Sequence, residues 1–178
     1  MSRLVYFLIV GPMMLALALP ASAGNIYCTV VGAKQGKFQG DGAHDTGQIA
    51  VYSLTEELKV PYDAASGQGT GRRQHSPLTI IKELDKSSPQ FFTAAVTNEI
   101  LRSVTCTLYR NAGDGVTRAY YKIALTNATI VEIKDSGDGV NGAAHGDEHE
   151  HVSFVYQRIE LTDLDSNTVA LDDWTSFQ

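Results

Sequence analysis

The densest group of side chains capable of chemistry lies late in the chain, where imidazoles and carboxylates alternate. Such groups bind divalent metals, and His149 and His151 would point to one side of an extended strand. The surrounding segment is Gly-rich and acidic, whereas structural metal sites usually draw ligands from separated, rigid elements. The sequence therefore favours a solvated loop that holds neither a metal nor another cofactor, and a zinc or nickel site is the alternative. The full group is His145, Asp147, Glu148, His149, Glu150 and His151.

A second candidate is the basic pair Arg72 and Arg73, with His75 close by in the sequence. Guanidinium groups bind carboxylates and phosphates through paired hydrogen bonds, so these side chains could hold an anion. They lie in the segment 62–75, which is rich in glycine and has no hydrophobic periodicity. We interpret the pair as a contact to a neighbouring subunit, and a solvated or anion-binding pair is the alternative.

Sequence motifs of catalysis are missing from the chain. It contains no G-x-S-x-G, H-E-x-x-H, phosphate-binding P-loop or G-x-G-x-x-G pattern, the local signatures of several large enzyme classes. Neither Cys28 nor Cys106 lies in a cysteine-protease signature. We therefore predict no catalytic residues and no enzymatic activity, and a hydrolase with an unrecognised site is the weakest alternative.

The elements that would position these residues are mostly strands. Short β-prone segments alternate with turns rich in Gly, Asp and Asn, a pattern typical of sandwiches and barrels. Within the clearest strand, Val104, Cys106 and Leu108 share one face, and Asn127 is expected to bend the long strand that follows. Strands are predicted at 25–31, 48–53, 54–60, 78–84, 101–110, 119–133, 152–164 and 168–171, with loops at 32–47, 62–75 and 135–150.

One helix interrupts the strands. Ser88 precedes Pro89, which places a capping hydroxyl before a proline at the first helical position. Phe92, Ala95 and Val96 follow at helical spacing and are predicted to form the buried face. A helix this short is unstable alone, so it must pack on a sheet. The predicted fold class is mainly β, a two-sheet barrel or sandwich with one short α-helix.

The amino terminus has the pattern of a secretory signal peptide. Arg3 precedes an apolar run, 4–19, and a small-residue step ends at Ala23. The run is shorter than the roughly 20 residues of a membrane span, and Gly11-Pro12 interrupts it. We predict a leader at 1–23 and a single domain at 24–178, with no stable membrane insertion after cleavage.

Export would expose both cysteines to an oxidising compartment. A disulfide between Cys28 and Cys106 could persist there, and two separately buried thiols are the alternative. The formal net charge of −6 gives no support for nucleic-acid binding, which needs a cationic surface.

Taken in order, several motifs of the chain resemble those of one family. They are GKFQGDG at 36–42, DAASGQGTGRRQH at 63–75, PLTIIKELDKSSPQFFTAAVTNE at 77–99, YYKIALTNATIVEI at 120–133, HEHVSFVYQRIEL at 149–161 and ALDDW at 170–174. This ordered set resembles the haemolysin-coregulated proteins, or Hcp, which form the tube of type VI secretion. The resemblance covers nearly all of 26–174.

The resemblance implies an assembly that the residues alone do not predict. It implies a compact two-sheet β-barrel with one helix, hexameric rings with a wide channel, and stacking of rings into a tube that a contractile sheath expels. It further implies secretion of the protein itself, carriage of small effectors, and sheath or spike components as partners.

The predicted leader departs from this family pattern, because tube subunits normally assemble in the cytoplasm. The protein could be a stand-alone exported binding module of the same fold, acting in the periplasm or outside the cell. It could also be a tube protein with an unusual leader, assembled in the cytoplasm if the leader is not used, or translation could begin after Met1. A structural tube subunit is the leading interpretation.

Overall fold

The fold is an antiparallel β structure with one short helix, seen in a computed structural model that describes residues 25–42, 47–137 and 148–175. The strands are β1 (Asn25–Gly32), β2 (Gly36–Lys37), β3 (Ile49–Val51), β4 (Ser53–Thr55), β5 (Leu58–Lys59), β6 (Gln74–His75), β7 (Leu78–Glu83), β8 (Leu101–Asn111), β9 (Thr117–Ser136), β10 (His149–Asp163) and β11 (Thr168–Asp173). The helix, α1 (Ser88–Val96), lies between β7 and β8.

The main sheet curls until its two ends meet the same segment of chain. Its strand order is β2-β1-β8-β9-β10-β7-β4, with β3 paired to β1 and β11 paired to β10. Only Tyr52 separates β3 from β4, and its N–H donates to the carbonyl of Ile81 over 2.8 Å. The stretch 49–55 therefore bridges β1 at one end and β7 at the other. A second, two-stranded sheet joins β5 to β6, so the predicted mainly β, two-sheet fold with one helix is confirmed.

The core lies on the inner face of the curled sheet. Cys28 of β1 is directly opposite Cys106 of β8, which is opposite Ile123 of β9. The predicted shared face of Val104 and Cys106 is confirmed, since both are buried, while Leu108 further along is only half-buried. The two sulfurs form a disulfide with a Cα–Cα distance of 4.0 Å. The structure therefore contains the predicted disulfide, and the alternative of two separately buried thiols is not observed.

The predicted bend at Asn127 is confirmed, and it changes which side chains of β9 are buried. Before Asn127 the buried residues are Ile123 and Leu125, and after it they are Ala128 and Ile130. The alternation of buried and exposed side chains along β9 is thus shifted by one residue at the bend. Asn127 has φ 50°, a left-handed conformation that Asn tolerates better than most residues. This offset lets both halves of one long strand face the core.

The buried face predicted for the helix is wrong at Phe92 and Val96, whereas Ala95 is partly buried against the core. Phe91 and Ala94 are buried, whereas Phe92 and Val96 are each 61% exposed. Two adjacent phenylalanines make both faces of the helix apolar, so spacing alone cannot choose between them. Tertiary contacts decide: the Phe91 ring packs 5.2 Å from the ring of Phe38 on the sheet side. The N-cap residue is Ser87, one position earlier than expected, and its hydroxyl makes no capping bond.

The loops predicted at 32–47, 62–75 and 135–150 are too long. Gly36–Lys37 and Gln74–His75 form short strands, β9 continues to Ser136, and β10 begins at His149. The segment predicted as one strand at 54–60 is divided into β4 and β5. Short paired stretches such as Gln74–His75 have no periodicity, so only their tertiary partners identify them.

Candidate functional site

Lys82 of β7 is the fully buried centre of an ionic cluster. Its ammonium lies 2.7 Å from Glu150 Oε2 and 2.9 Å from Asp85 Oδ1. It also donates to the Ser88 hydroxyl over 2.9 Å and to the carbonyl of Glu83 over 2.7 Å. Burial alone would raise the pKa of Asp85, but hydrogen bonds from Ser87 and Lys82 outweigh it and lower that pKa. The cluster ties the start of the helix to two strands.

This arrangement corrects the prediction that Glu150 belongs to a solvated loop. Glu150 is buried on β10, on the opposite face from His149 and His151. The two histidines do share one face, as predicted. His149 packs edge-on against Tyr52, with 5.4 Å between ring centroids. The predicted group is thus split between two faces of a strand, and His145 and Asp147 lie outside the described residues.

Glu99, which follows the helix, is a buried carboxylate that the sequence did not single out. It accepts hydrogen bonds from the backbone N–H groups of Lys34 and Gln35 over 2.6 and 2.8 Å, and from the Gln35 amide over 2.9 Å. Burial alone would raise the pKa of Glu99, but these hydrogen bonds lower it. A Cβ on Gly32 would lie 2.4 Å from Glu99 Oε1, so a larger residue there would displace the Glu99 carboxylate. Glu99 therefore fixes the β1–β2 turn against the helix.

A polar cluster at the other end of the molecule joins β6 to β11. We call it the His75 latch: Arg73, His75, Tyr156, Asp172 and Trp174. Arg73 donates to both carboxylate oxygens of Asp172, and His75 Nε2 lies 2.9 Å from the same group. The Tyr156 hydroxyl lies 3.1 Å from His75 Nδ1. Since the carboxylate can only accept, His75 donates through Nε2, and its Nδ1 also lies 3.4 Å from the carboxylate of Glu56.

The latch changes the interpretation of the basic pair. Arg73 and His75 bind Asp172 of their own chain, and a contact of Arg72 and Arg73 to a neighbouring subunit stays a prediction. Trp174 completes the cluster, with its ring 5.0 Å from His75 and under the Arg73 guanidinium at 5.8 Å. The family-like ALDDW segment therefore provides the acceptor and the ring of the latch.

The latch holds two strongly shifted pKa values. Hydrogen bonds from Arg73, and to a lesser degree from His75, lower the pKa of Asp172 to about 2 against the opposing effect of burial. Burial raises the pKa of Tyr156 to about 12, aided by the negative charges of Glu56 and Asp172. Near neutral pH the carboxylate is therefore charged and the phenol is protonated.

Replacing Asp172 by Asn is expected to loosen the latch at pH 7. Because the pKa of Asp172 is depressed, its ion pair stabilises the folded state above the ordinary Asp pKa and loses that effect as pH falls through about 2. Arg73 is 44% exposed, so we expect a loss of about 1 kcal/mol or less in the free energy of unfolding. Trp174 is the chain's single tryptophan, and its fluorescence should shift in D172N at pH 7.

The acid titration gives the control for that variant. The wild-type Trp174 signal should change as pH approaches about 2, and D172N should lack this step. Far-UV circular dichroism identifies any global unfolding. An identical titration in the two proteins would contradict the assigned role of Asp172.

A groove of about 400 Å³ opens beside the latch. Its apolar lining comes from β5, β10 and β11, and its polar lining consists of Glu56, Arg73, His75, Asp172 and Asp173. We call it the β10–β11 groove. Its apolar residues are Leu58, Ile159, Leu161, Ala170 and Leu171.

The outer face of the helix is also apolar. Phe92 and Val96 are one turn apart and each 61% exposed, and Ile100 just beyond the helix is 53% exposed. We call these three residues the α1 strip. The face that was predicted to be buried is thus the one that is available for a partner.

Within the described ranges 25–42, 47–137 and 148–175, no three His, Cys, Asp or Glu side chains are arranged to hold a metal ion. Among the same residues, the single helix of nine residues is too short to cross a bilayer.

The comparisons with known proteins agree with the fold and the motif order. The family model described as "Type VI secretion system effector, Hcp" matches residues 27–162. The "Major exported protein" of Pseudomonas aeruginosa strain PAO1 is 36% identical over 163 residues, which cover 84% of this chain and 95% of that protein.

Solved structures agree as well. A crystal structure of an Hcp protein matches with a TM-score of 0.79 at 23% identity, covering 87% of this chain and all of that one. The secreted protein Hcp3 from Pseudomonas aeruginosa matches with a TM-score of 0.70 at 29% identity, covering 86% of this chain and all of that one.

Proposed function

Because the chain belongs to the Hcp family of type VI secretion proteins and is a structural subunit of the secretion tube, we propose that its copies close into hexameric rings that stack. The observation that carries the proposal is the family match over 27–162, which contains the helix and nearly all of the curled sheet apart from β11. Members of this family are structural, secreted proteins, and no enzymatic activity is part of the proposal. Sheath or spike components and small effectors are the further partners that we propose.

Light scattering coupled to size-exclusion chromatography tests the ring. We expect a mass of six mature subunits at micromolar concentration, and negative-stain images of rings with an open channel. A protein that remains monomeric across the accessible concentration range would overturn the proposal.

The route of export is a separate part of the proposal. The leader-like segment 1–23 and the buried disulfide between Cys28 and Cys106 both favour folding in an oxidising compartment. These two features also favour a second candidate function, a stand-alone exported module of the same fold. We propose cleavage after Ala23, which leaves the single domain 24–178.

Cell fractionation and mass spectrometry separate the two functions. An oxidised protein that begins at Gly24, recovered from the periplasm of cells without a type VI sheath, would support the exported module. Export that requires the sheath, of a chain that keeps residues 1–23, would support the tube subunit and overturn cleavage.

A further inference from the structure

We propose that the His75 latch is a pH-sensitive switch, in which protonation of His75 exchanges the partner of its Nδ1 atom from the Tyr156 hydroxyl to the Glu56 carboxylate. Glu56 and His75 stand at the two ends of the segment 56–75, which contains β5 and β6 and which we call the arm. The exchange closes the base of the arm while Asp172 holds that base on β11. The switch is a property of a single folded chain and does not depend on the ring.

The His75 ring has a polar neighbour at each of its two nitrogens. Nε2 lies 2.9 Å from Asp172 Oδ2, whereas Nδ1 lies 3.1 Å from the Tyr156 hydroxyl and 3.4 Å from Glu56 Oε1. The His75 side chain is only 6% exposed, so these neighbours rather than water decide which protonation state is favoured. Nδ1 therefore lies between a hydroxyl that can donate to it and a carboxylate that can only accept from it.

Each protonation state of the ring selects a different partner for Nδ1. In a neutral imidazole with its proton on Nε2, Nδ1 carries a lone pair that accepts from the Tyr156 hydroxyl and repels the Glu56 carboxylate. In the imidazolium both nitrogens donate, so Nε2–H keeps Asp172 and Nδ1–H binds Glu56. Hydrogen bonds between charged groups are shorter than neutral ones. The 3.4 Å contact between Glu56 and His75 should therefore shorten when His75 takes up a proton.

The charges that face the ring favour its protonation. Glu56 and Asp172 supply two negative charges, and Arg73, which donates to both oxygens of Asp172, supplies one positive charge. With a neutral His75 the cluster keeps one uncompensated negative charge, which the imidazolium cancels. Burial of the ring and the guanidinium of Arg73 oppose protonation, whereas a carboxylate beside each nitrogen favours it. The closed state is thus stabilised at low pH, and this stabilisation is lost as pH rises.

The other titratable groups of the latch keep their charge while His75 titrates. The pKa of Asp172 is about 2 and that of Tyr156 is about 12, and both values lie well outside the range of about pH 5–8 in which histidines typically change charge. The neighbouring acidic side chains have partners of their own, which are Lys59 and Ser76 for Glu57 and Thr175 for Asp173.

Trp174 provides an optical reporter of the charge on His75. It is the single tryptophan of the chain, and its ring lies edge-on to the His75 ring with 5.0 Å between centroids. The Trp174 N–H donates to the carbonyl of Gln157 over 3.0 Å. His149 and His151 are at least six residues, or roughly 20 Å, further along β10. Of the histidines in the described ranges, His75 is therefore the one beside the reporter.

A fluorescence titration of the folded protein tests the switch. Between pH 8 and pH 5 the Trp174 emission should change in one step, and His75→Gln should lack this step. Glu56→Gln removes a negative charge that holds the imidazolium, so its step should move to lower pH by about one unit. Tyr156→Phe removes the donor to the neutral ring, so its step should move to higher pH. A purely structural effect of the two variants would not produce shifts of opposite sign.

Glu57→Gln is the matched control, because the neighbouring carboxylate binds Lys59 and Ser76 outside the latch, and it should titrate like wild type. Hydrogen exchange, corrected for the intrinsic effect of pH, measures the arm: amides of β5 and β6 should be better protected at pH 5 than at pH 8 in the wild type, and this gain should be lost in Glu56→Gln.

Circular dichroism reports folding across the titration. If His75→Gln unfolds, the NMR titration of the His75 ring protons in the wild type, Glu56→Gln and Tyr156→Phe gives the same three midpoints. A wild type without a step, a step that persists in folded His75→Gln, or shifts of the same sign in the other two variants would overturn the switch.

Discussion

Replacing Lys82 by Met is expected to lower the free energy of unfolding by about 3–5 kcal/mol, because breaking a buried ion pair leaves an uncompensated charge. The Lys82 side chain is fully buried, and its ammonium is the cation between Glu150 and Asp85. In the variant, Glu150 would remain out of water without a cationic partner, and Asp85, whose side chain is 11% exposed, would lose its partner as well. Urea denaturation followed by circular dichroism measures the effect as a fall in the transition midpoint.

A double variant and a surface variant make the measurement specific. Glu150→Gln in the Lys82→Met background removes a buried negative charge that has lost its cation, so the double variant should be more stable than Lys82→Met alone. Lys86 forms an ion pair with Asp41 on the surface, where the lysine side chain is 73% exposed. Lys86→Met should therefore leave the urea midpoint unchanged within experimental error. If Lys82→Met were as stable as Lys86→Met, the buried cluster would not have the stabilising role assigned to it.

Removing the disulfide is the other change with a large expected effect. The bridge joins residues separated by 78 positions. Cross-linking a loop of that size lowers the entropy of the unfolded chain and so raises the free energy of unfolding by about 4 kcal/mol. The double variant Cys28→Ala/Cys106→Ala is therefore expected to lose roughly that free energy of unfolding, with an added loss from packing because both positions are buried in the core.

Reduced wild-type protein separates the cross-link from the packing. It keeps both sulfur atoms but lacks the bond, so its urea midpoint should lie between those of the oxidised wild type and the double Ala variant. Folding under reducing conditions with an unchanged midpoint would mean that the bridge does not contribute to stability. The same comparison bears on export, because a copy folded in a reducing cytoplasm would lack this contribution.

Much of the strand structure could be predicted, since alternation along a strand is a local property. The face of Val104 and Cys106 and the bend at Asn127 both follow from residue types and their spacing. The helix face could not be predicted in this way, because Phe91 and Phe92 are adjacent and each would suit a core. The choice between them depends on Phe38, which is 53 positions away from Phe91 in the sequence.

The candidate site was harder to predict because its members are distant in the chain. Glu150 is part of an acidic, histidine-containing segment, and only the strand pairing with β7 brings it to the buried Lys82. Arg73 and His75 are likewise 99 and 97 positions from Asp172. Charged residues at such separations carry no local signal of their pairing. The family-like segments 77–99, 149–161 and 170–174 contain most of these groups, but they did not indicate which groups would pair.

The offset at Asn127 also has a consequence for how the domain comes apart. β9 and β10 stay paired along their length, from Tyr121 with Asp163 to Ser136 with His149, while each half of β9 contributes to a different part of the core. Neither part can open without breaking the ladder that it shares with the other. Amides on both sides of the bend should therefore exchange with solvent through the same global opening. We expect the described part of the chain to unfold as a single cooperative unit, although its longest strand is bent in the middle.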